Sequence, residues 1–157
     1  MEDYQAAFLQ RHMDTEKLCH SDRKVAAMHF GGITIECLLK AMILASLPKS
    51  AKREGKTDSN NPQHTITNPG HSFQDALKRH NKLHDRVQKF PQVMKWLNTV
   101  ENPNNQHFID MRYSSSQSDE PNYKQWLSAY NSLRGWLQTQ TTKLRGRRYA
   151  GNLASIA

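Results

Sequence analysis

The chain has 157 residues and a formal net charge of +8, a length that favours one domain able to bury a core without disulfides or metal. Its two cysteines, Cys19 and Cys37, exclude a disulfide framework and favour reduced thiols. The amino-terminal residues lack the apolar region of a signal peptide, and Glu36 and Lys40 interrupt the longest apolar run. We therefore expect a cytoplasmic protein without a membrane span.

The positive charge lies entirely in the second part of the sequence. Residues 1–48 have five Lys or Arg and six Asp or Glu, a balance of −1, whereas residues 49–100 have ten against four and residues 101–157 seven against four. Clustered cations favour a polyanionic partner, above all a nucleic acid. The alternative is a soluble protein that happens to be basic, because charge alone indicates only non-specific attraction.

The first half of the chain predicts two helices. Residues 2–19 repeat apolar side chains at intervals of three or four, and residues 22–47 are apolar almost all round, as in a helix at the centre of a bundle. At about 100° per residue, one stripe of this central helix carries His29, Glu36 and Lys40. Gly31-Gly32 lies between these residues in the sequence, and glycine costs roughly 1 kcal/mol in a helix, so another backbone or a ligand should approach closely there.

A polar stretch at about residues 48–70 follows, and we expect it to be a flexible, basic surface loop. Its cations are candidate contacts for phosphate groups, namely Lys49, Lys52 and Arg53. The carboxyl-terminal residues 146–157 form a basic tail of small residues. With the end of the last helix, that tail supplies further candidate phosphate contacts, which are Arg145, Arg147 and Arg148.

The second half predicts three more helices and completes an all-α fold. One helix should run over residues 72–88, another from Pro91, and a long last one from Asn122 to about residue 145. A short apolar piece ends at Arg112-Tyr113 before a polar loop. No β-type alternation longer than a few residues occurs, so the sequence predicts a single helical domain over residues 1–145.

Several polar residues allow both a structural and a functional interpretation. Glu36 and Lys40 have the spacing of a helical ion pair, which is either a structural pair in the bundle or one wall of a polar pocket. His71 either caps a turn or reaches Arg112 or the central stripe. Arg112 either binds a phosphate or pairs with Glu36 or with a helix C-terminus. His80 and His84 are spaced i, i+4, but without accompanying ligands we expect packing, not a metal site.

Four segments, in order, resemble HEPN domains (higher eukaryotes and prokaryotes nucleotide-binding). The sequence AAMHFGGITIECLLKAMI is similar to the second helix of that family, with its Glu-x-x-x-Lys step, and NPGHSFQDAL is similar to the opening of the next helix. Arg112-Tyr113 resembles the Arg-Tyr before the last helix, and YKQWLSAYNSLRGWL resembles that helix. The resemblance covers roughly residues 4–140.

This resemblance implies an up-and-down bundle of four to five helices that forms a homodimer and binds a nucleotide or RNA, without a cofactor or metal. It also implies a place in a toxin–antitoxin, defence or nucleotidyltransferase-associated system. Catalytic members are metal-independent ribonucleases with a late Arg-x(4–6)-His motif, but no histidine follows Arg112 here. The sequence therefore departs from the family at the catalytic position.

The sequence thus leaves three functions open: a nucleotide- or RNA-binding module, a metal-independent ribonuclease and a non-catalytic protein–protein adaptor. For a ribonuclease, the candidate catalytic residues are His29, His71 and Arg112. For binding, we expect one polar cluster formed by His29, Glu36, Lys40, His71, Arg112 and Tyr113.

Overall fold

The computed structural model describes residues 3–47, 70–114 and 117–145, and in these ranges it is helical without strands. The predicted all-α class is therefore confirmed. Two 3₁₀ segments, Pro103–Asn105 and Phe108–Tyr113, accompany the α-helices. In chain order those helices are α1 (Tyr4–His20), α2 (Lys24–Ser46), α3 (Phe73–Leu77), α4 (Asn81–Gln88), α5 (Pro91–Glu101) and α6 (Glu120–Arg145).

Most of the predicted basic loop and all of the predicted tail lie outside the described residues. This applies to Lys49, Lys52 and Arg53, and to Arg147 and Arg148. Arg145 ends α6, but its side chain is also outside the described part of the chain. The proposed phosphate contacts of these six residues stay predictions.

The central position of α2 follows from its composition. Fourteen of its 23 residues are buried, which few helices with one apolar stripe would achieve. Among the described helices, α2 alone is long and apolar enough to cross a membrane, yet 78% of its apolar window is buried by other parts of the protein. Its burial by α1, α6 and the Phe108–Tyr113 segment makes it the interior helix of the bundle.

The four longer helices alternate in direction. The pairing of Tyr4 with Lys40 and of Thr15 with Thr34 makes α1 antiparallel to α2. Two further contacts, from Lys24 to Glu120 and from Gly31 to Trp126, make α2 parallel to α6. Helix α5 runs against α6, because Phe90 at its start packs on Trp136 while Asn104, beyond its end, reaches Ser118. The order is thus up, down, up, down.

The paired glycines of α2 admit two aromatic rings. A Cβ atom on Gly31 would overlap the ring of Trp126, and one on Gly32 would overlap Phe108. Both rings are fully buried, so the glycines let α6 and the Phe108–Tyr113 segment press against the α2 backbone. The close approach expected from the sequence is made by protein side chains.

The predicted helix over residues 72–88 is wrong in one respect, because the chain breaks at residues 78–80. Helix α3 ends at Leu77, and His80 forms the N-cap of α4, where its Nδ1 accepts a hydrogen bond from the amide of Leu83 at 3.3 Å. His80 is buried and His84 lies one turn into α4. The two imidazoles therefore do not share one continuous helix face.

Candidate functional site

The polar residues of the central stripe fall into two groups along α2. His29 and Glu36 are seven residues apart, which is about 10 Å of rise along a helix. Glu36 and Lys40 join His71, whereas His29 lies beside Arg112 at a cavity near the start of α2. The structure thus brings Glu36, Lys40 and His71 together and places His29 and Arg112 at a separate cavity. That these residues bind a ligand stays a prediction.

The inner group is a chain of three charged or titratable side chains. Lys40 Nζ donates to Oε2 of Glu36 at 3.0 Å, and Nδ1 of His71 lies 2.6 Å from Oε1 of the same carboxylate. The side chains of Glu36 and Lys40 are only 10% and 4% exposed, while that of His71 is 50% exposed. Each carboxylate oxygen thus has a donor, which offsets the cost of burying the charge.

Local features of the chain bring His71 to this position. Gly70 has a positive φ of 86°, a conformation that glycine adopts without strain. Ser72 then caps α3 by accepting from the amide of Asp75 at 3.2 Å. The Gly-His-Ser step therefore turns the chain into α3 and leaves the imidazole against α2.

His29 is held in one tautomer by the backbone. Its Nδ1 lies 2.8 Å from the carbonyl oxygen of Phe108, which can only accept. Nδ1 therefore carries the proton, and Nε2 of the neutral ring is an acceptor. The ring is half-buried and lines the cavity, so the Phe108 carbonyl positions an imidazole whose second nitrogen is a base.

Arg112 and Tyr113 lie at the end of the second 3₁₀ segment, and neither makes a hydrogen bond or ion pair with Glu36 in the described part of the chain. Both are exposed, and the Arg112 guanidinium carbon is 4.7 Å from the centre of the Tyr113 ring. This distance is typical of a cation–π contact. Arg112 lines the same cavity as His29. The alternative that Arg112 pairs with Glu36 is therefore wrong.

The cavity has a volume of about 710 Å³ and lies between the first turn of α2 and residues 111–118. At its α2 wall the helix begins without a side-chain cap, since Arg23 is the N-cap residue and makes no cap hydrogen bond. Among the described residues, no side chain caps the amides of the first turn, and no acidic residue lies in that turn. The polar residues that line the cavity are Asp22, Arg23, Lys24, His29, Arg112, Ser114, Gln117 and Ser118.

The charge of the cavity wall is predominantly positive. Lys24 is neutralised in part, because its ammonium lies 2.8 Å from Glu120 and 3.8 Å from Asp22. The hydrogen bond to Glu120 raises the pKa of Lys24, and the same bond lowers the pKa of Glu120. Within the described ranges, Arg23 and Arg112 make no ion pair. The wall thus combines two uncompensated guanidinium groups with the positive end of a helix dipole.

A buried network that sequence reasoning missed links α1 to α6. His12 Nδ1 lies 2.7 Å from the hydroxyl of Tyr130, and its Nε2 lies 3.1 Å from a carboxylate oxygen of Glu16. Burial first, and then the charge of Arg134, lowers the pKa of His12, although Glu16 acts in the opposite direction. Burial also raises the pKa of Tyr130. The i, i+4 spacing of His12 and Glu16 was the only signal in the sequence.

Neither a metal centre nor a homologue defines the site. In the three described ranges, no group of three or more His, Cys, Asp and Glu residues could hold a metal ion. No family model matches the chain, and no curated protein or solved structure is significantly similar to it.

Proposed function

We propose that this protein binds RNA or a nucleotide, with a phosphate group in the cavity at the start of α2. The observation that supports this most directly is the meeting of Arg23, Arg112 and an uncapped helix amino end at one cavity. Free amides and a positive helix end attract anions. Two guanidinium groups add donors whose planar geometry matches phosphate oxygens.

Tyr113 extends this site toward a base. Its ring is 81% exposed, which is unusual for a large aromatic side chain, and it contacts the guanidinium of Arg112. A nucleobase stacked on an exposed ring contributes about 1–3 kcal/mol. We propose that Arg112 holds a phosphate while Tyr113 contacts the adjoining base or sugar.

Glu36, Lys40 and His71 take a different role in this proposal. The Glu36–Lys40 pair is buried and internally satisfied, so it stabilises the fold, whereas the half-exposed ring of His71 is the accessible end of the group. We propose His71 as a secondary ligand contact, and the two buried residues as its support.

The binding experiment measures the affinity for a fluorescent RNA of about 16 nucleotides over a range of salt concentrations. Replacing Arg112 by Ala should weaken binding roughly tenfold, because a hydrogen bond to a charged group is lost. It should also reduce the slope of log K against log salt by about 0.7, the value for one phosphate of a single strand.

The matched control is Lys17→Ala, which removes one exposed cation from α1 outside the cavity. It should change the affinity by no more than about twofold, because exposed charges act only through the general field. An Arg112→Ala protein that binds as tightly as the control would contradict the proposal. Competition with a mononucleotide then separates a nucleotide site from an RNA site.

A second candidate function is metal-independent RNA cleavage, and the tautomer of His29 favours it. An imidazole with a basic Nε2 beside an arginine can take the proton of a 2′-hydroxyl, so that the 2′-oxygen bonds to the adjacent phosphorus and the bond from phosphorus to the 5′-oxygen breaks. The guanidinium stabilises the negative charge on the phosphoryl oxygens, and the departing 5′-oxygen takes a proton from water. His29 and Arg112 line one cavity, although neither stands in the late Arg-x(4–6)-His pattern. Cleavage of RNA in the presence of a chelator tests this function.

The wider assignment rests on the resemblance to HEPN domains. We propose a homodimer that works with an RNA or nucleotide ligand in a toxin–antitoxin, defence or nucleotidyltransferase-associated system. Sedimentation of the purified chain tests the dimer, and co-purification with the product of a neighbouring nucleotidyltransferase gene tests the partner. A monomer that captures neither RNA nor such a partner would contradict this assignment and favour the adaptor.

A further inference from the structure

A second basic surface lies at the opposite end of α6 from the cavity. Between residues 78 and 100 the only acidic residue is Asp85, and α6 contains none after Glu120. Over the same stretch, 78–100, there are six basic residues: Lys78, Arg79, Lys82, Arg86, Lys89 and Lys95. The part of the fold formed by α4, the start of α5 and the end of α6 is therefore strongly positive.

Two aromatic rings occupy the middle of this surface. Phe90 is the N-cap residue of α5 and is 44% exposed. Its ring packs edge-on against Trp136 of α6, with the ring centres 6.0 Å apart at an angle of 66°. Trp136 is itself only partly buried. An aromatic pair with this much exposed ring area stabilises the core less than a fully buried pair would. Its exposed ring faces are available for stacking.

The register between α4 and α6 aligns the rings with the cations. Arg86 donates to the side chain of Gln140, and four residues further along the chain Phe90 contacts Trp136. Lys143 continues the stripe of α6 that contains Trp136 and Gln140, because these positions are spaced i, i+4, i+7. Lys82 lies one turn before Arg86 on the facing helix. Cations thus extend in a row from the aromatic pair.

We propose that this surface, defined by Lys82, Arg86, Lys89, Phe90, Trp136 and Lys143, binds single-stranded nucleic acid. The row of cations follows the phosphate backbone, and an unpaired base stacks on the exposed face of Phe90 or Trp136. Surfaces that combine a basic groove with aromatic rings take single strands without strong sequence preference. A duplex keeps its base faces internal, so it engages the cations but not the rings.

The proposal deepens the proposed function, since both ligands are nucleic acids, but it shares no residue with the cavity. Glu120 at the cavity end and Trp136 are 16 positions apart on α6, or about 24 Å along the helix axis. A mononucleotide cannot span that distance. A longer single strand bound at both places gains affinity through the high effective concentration of its second half.

The experiment compares three probes at one salt concentration: a single-stranded RNA of about 16 nucleotides, a duplex of the same sequence and vesicles of anionic phospholipid. We expect Phe90→Leu, which keeps the apolar contact with Trp136 but removes the ring, to weaken single-strand binding about tenfold. Its affinity for the duplex should stay within twofold of the wild type. Lys82→Gln combined with Lys89→Gln should weaken the binding of both nucleic acids and flatten the salt dependence.

Lys17→Gln, on α1 and outside both this surface and the cavity, is the charge control. The thermal midpoint of Phe90→Leu reports whether that variant folds. Equal binding of the single strand by Phe90→Leu and by the wild type would overturn the proposal, and so would binding of vesicles but not RNA. The double variant of Lys82 and Lys89 is an independent test of the same surface, because both lysine side chains are exposed. A loss in Phe90→Leu without a loss in Arg112→Ala would reject the cavity proposal alone, and the reverse pattern would reject this surface alone.

Discussion

The Nδ1 atom of His71 lies 2.6 Å from Oε1 of Glu36, although the two residues are 35 positions apart in the chain. This contact joins the segment before α3 to the middle of the buried helix α2. Glu36 accepts from Lys40 with its other oxygen. The Glu36 carboxylate therefore forms a buried ion pair with Lys40 and also contacts the accessible imidazole of His71.

Removing the charge of Glu36 should destabilise the fold strongly. In Glu36→Gln the buried ammonium of Lys40 loses its carboxylate, and breaking one side of a buried pair costs about 3 kcal/mol. His71→Gln should cost less than about 1 kcal/mol, because the glutamine amide keeps a donor for Glu36 at a half-exposed position. Unfolding in urea measures both values. Equal losses of unfolding free energy in the two variants would show that the Glu36–Lys40 pair stabilises the fold no more than the His71 contact does.

The glycines of α2 and α6 should respond in opposite ways to alanine. Gly32→Ala places a methyl group within the buried ring of Phe108, and such overpacking costs about 1–3 kcal/mol. Gly135 lies at an exposed position of α6, and a Cβ atom added there meets nothing within 4 Å. Gly135→Ala should therefore stabilise the protein by about 0.5–1 kcal/mol through helix propensity. Thermal unfolding compares the two. A stabilised Gly32→Ala protein would contradict the packing of Phe108 on α2.

The free energy of unfolding should fall as the solution is acidified below about pH 6.5. Burial lowers the pKa of His12 in the folded state, so in that range the unfolded chain binds a proton that the folded chain does not. The contribution of His12 to the free energy of unfolding is present in full above the ordinary histidine pKa. It is lost as the pH falls through the lowered pKa of His12 in the folded state. Urea titrations between about pH 8 and pH 5 measure the change.

His12→Gln is the comparison for that titration, because glutamine keeps a polar contact but does not titrate. The nearby groups that also matter are Glu16, Tyr130 and Arg134, and all three stay in place in this variant. The wild type should lose more stability than the variant on acidification. Parallel curves for the two proteins would assign the acid sensitivity to other groups.

The variant His29→Asn separates the structural and the catalytic role of that ring. The asparagine amide occupies the position of Nδ1 and can still donate to the carbonyl of Phe108, but it supplies no equivalent of the basic Nε2. We expect RNA affinity and thermal stability to stay close to those of the wild type. Any RNA cleavage by the wild type should be abolished, which gel analysis of the products measures. Persistent cleavage in the variant would exclude His29 as the base.

Helix content and the interior position of α2 were predictable from periodicity alone. A sequence that is apolar all round can only be accommodated at the centre of a bundle, and α2 begins and ends within two residues of the expected limits. The break between α3 and α4 was not predictable in this way. The helical spacing of Phe73, Leu77, His80 and Val87 continues across residues 78–80, and it is the capping by His80 that divides the helix.

The contact between Glu36 and Lys40 follows from their spacing on one helix, whereas every contact between segments needed the tertiary structure. Sequence pattern indicated that His29, Glu36 and Arg112 were noteworthy. It could not show that the Phe108 carbonyl orients His29, or that Arg112 faces the start of α2 and not its middle. Local periodicity reports which side of a helix is polar. The packing of distant segments decides how far along that side each partner lies.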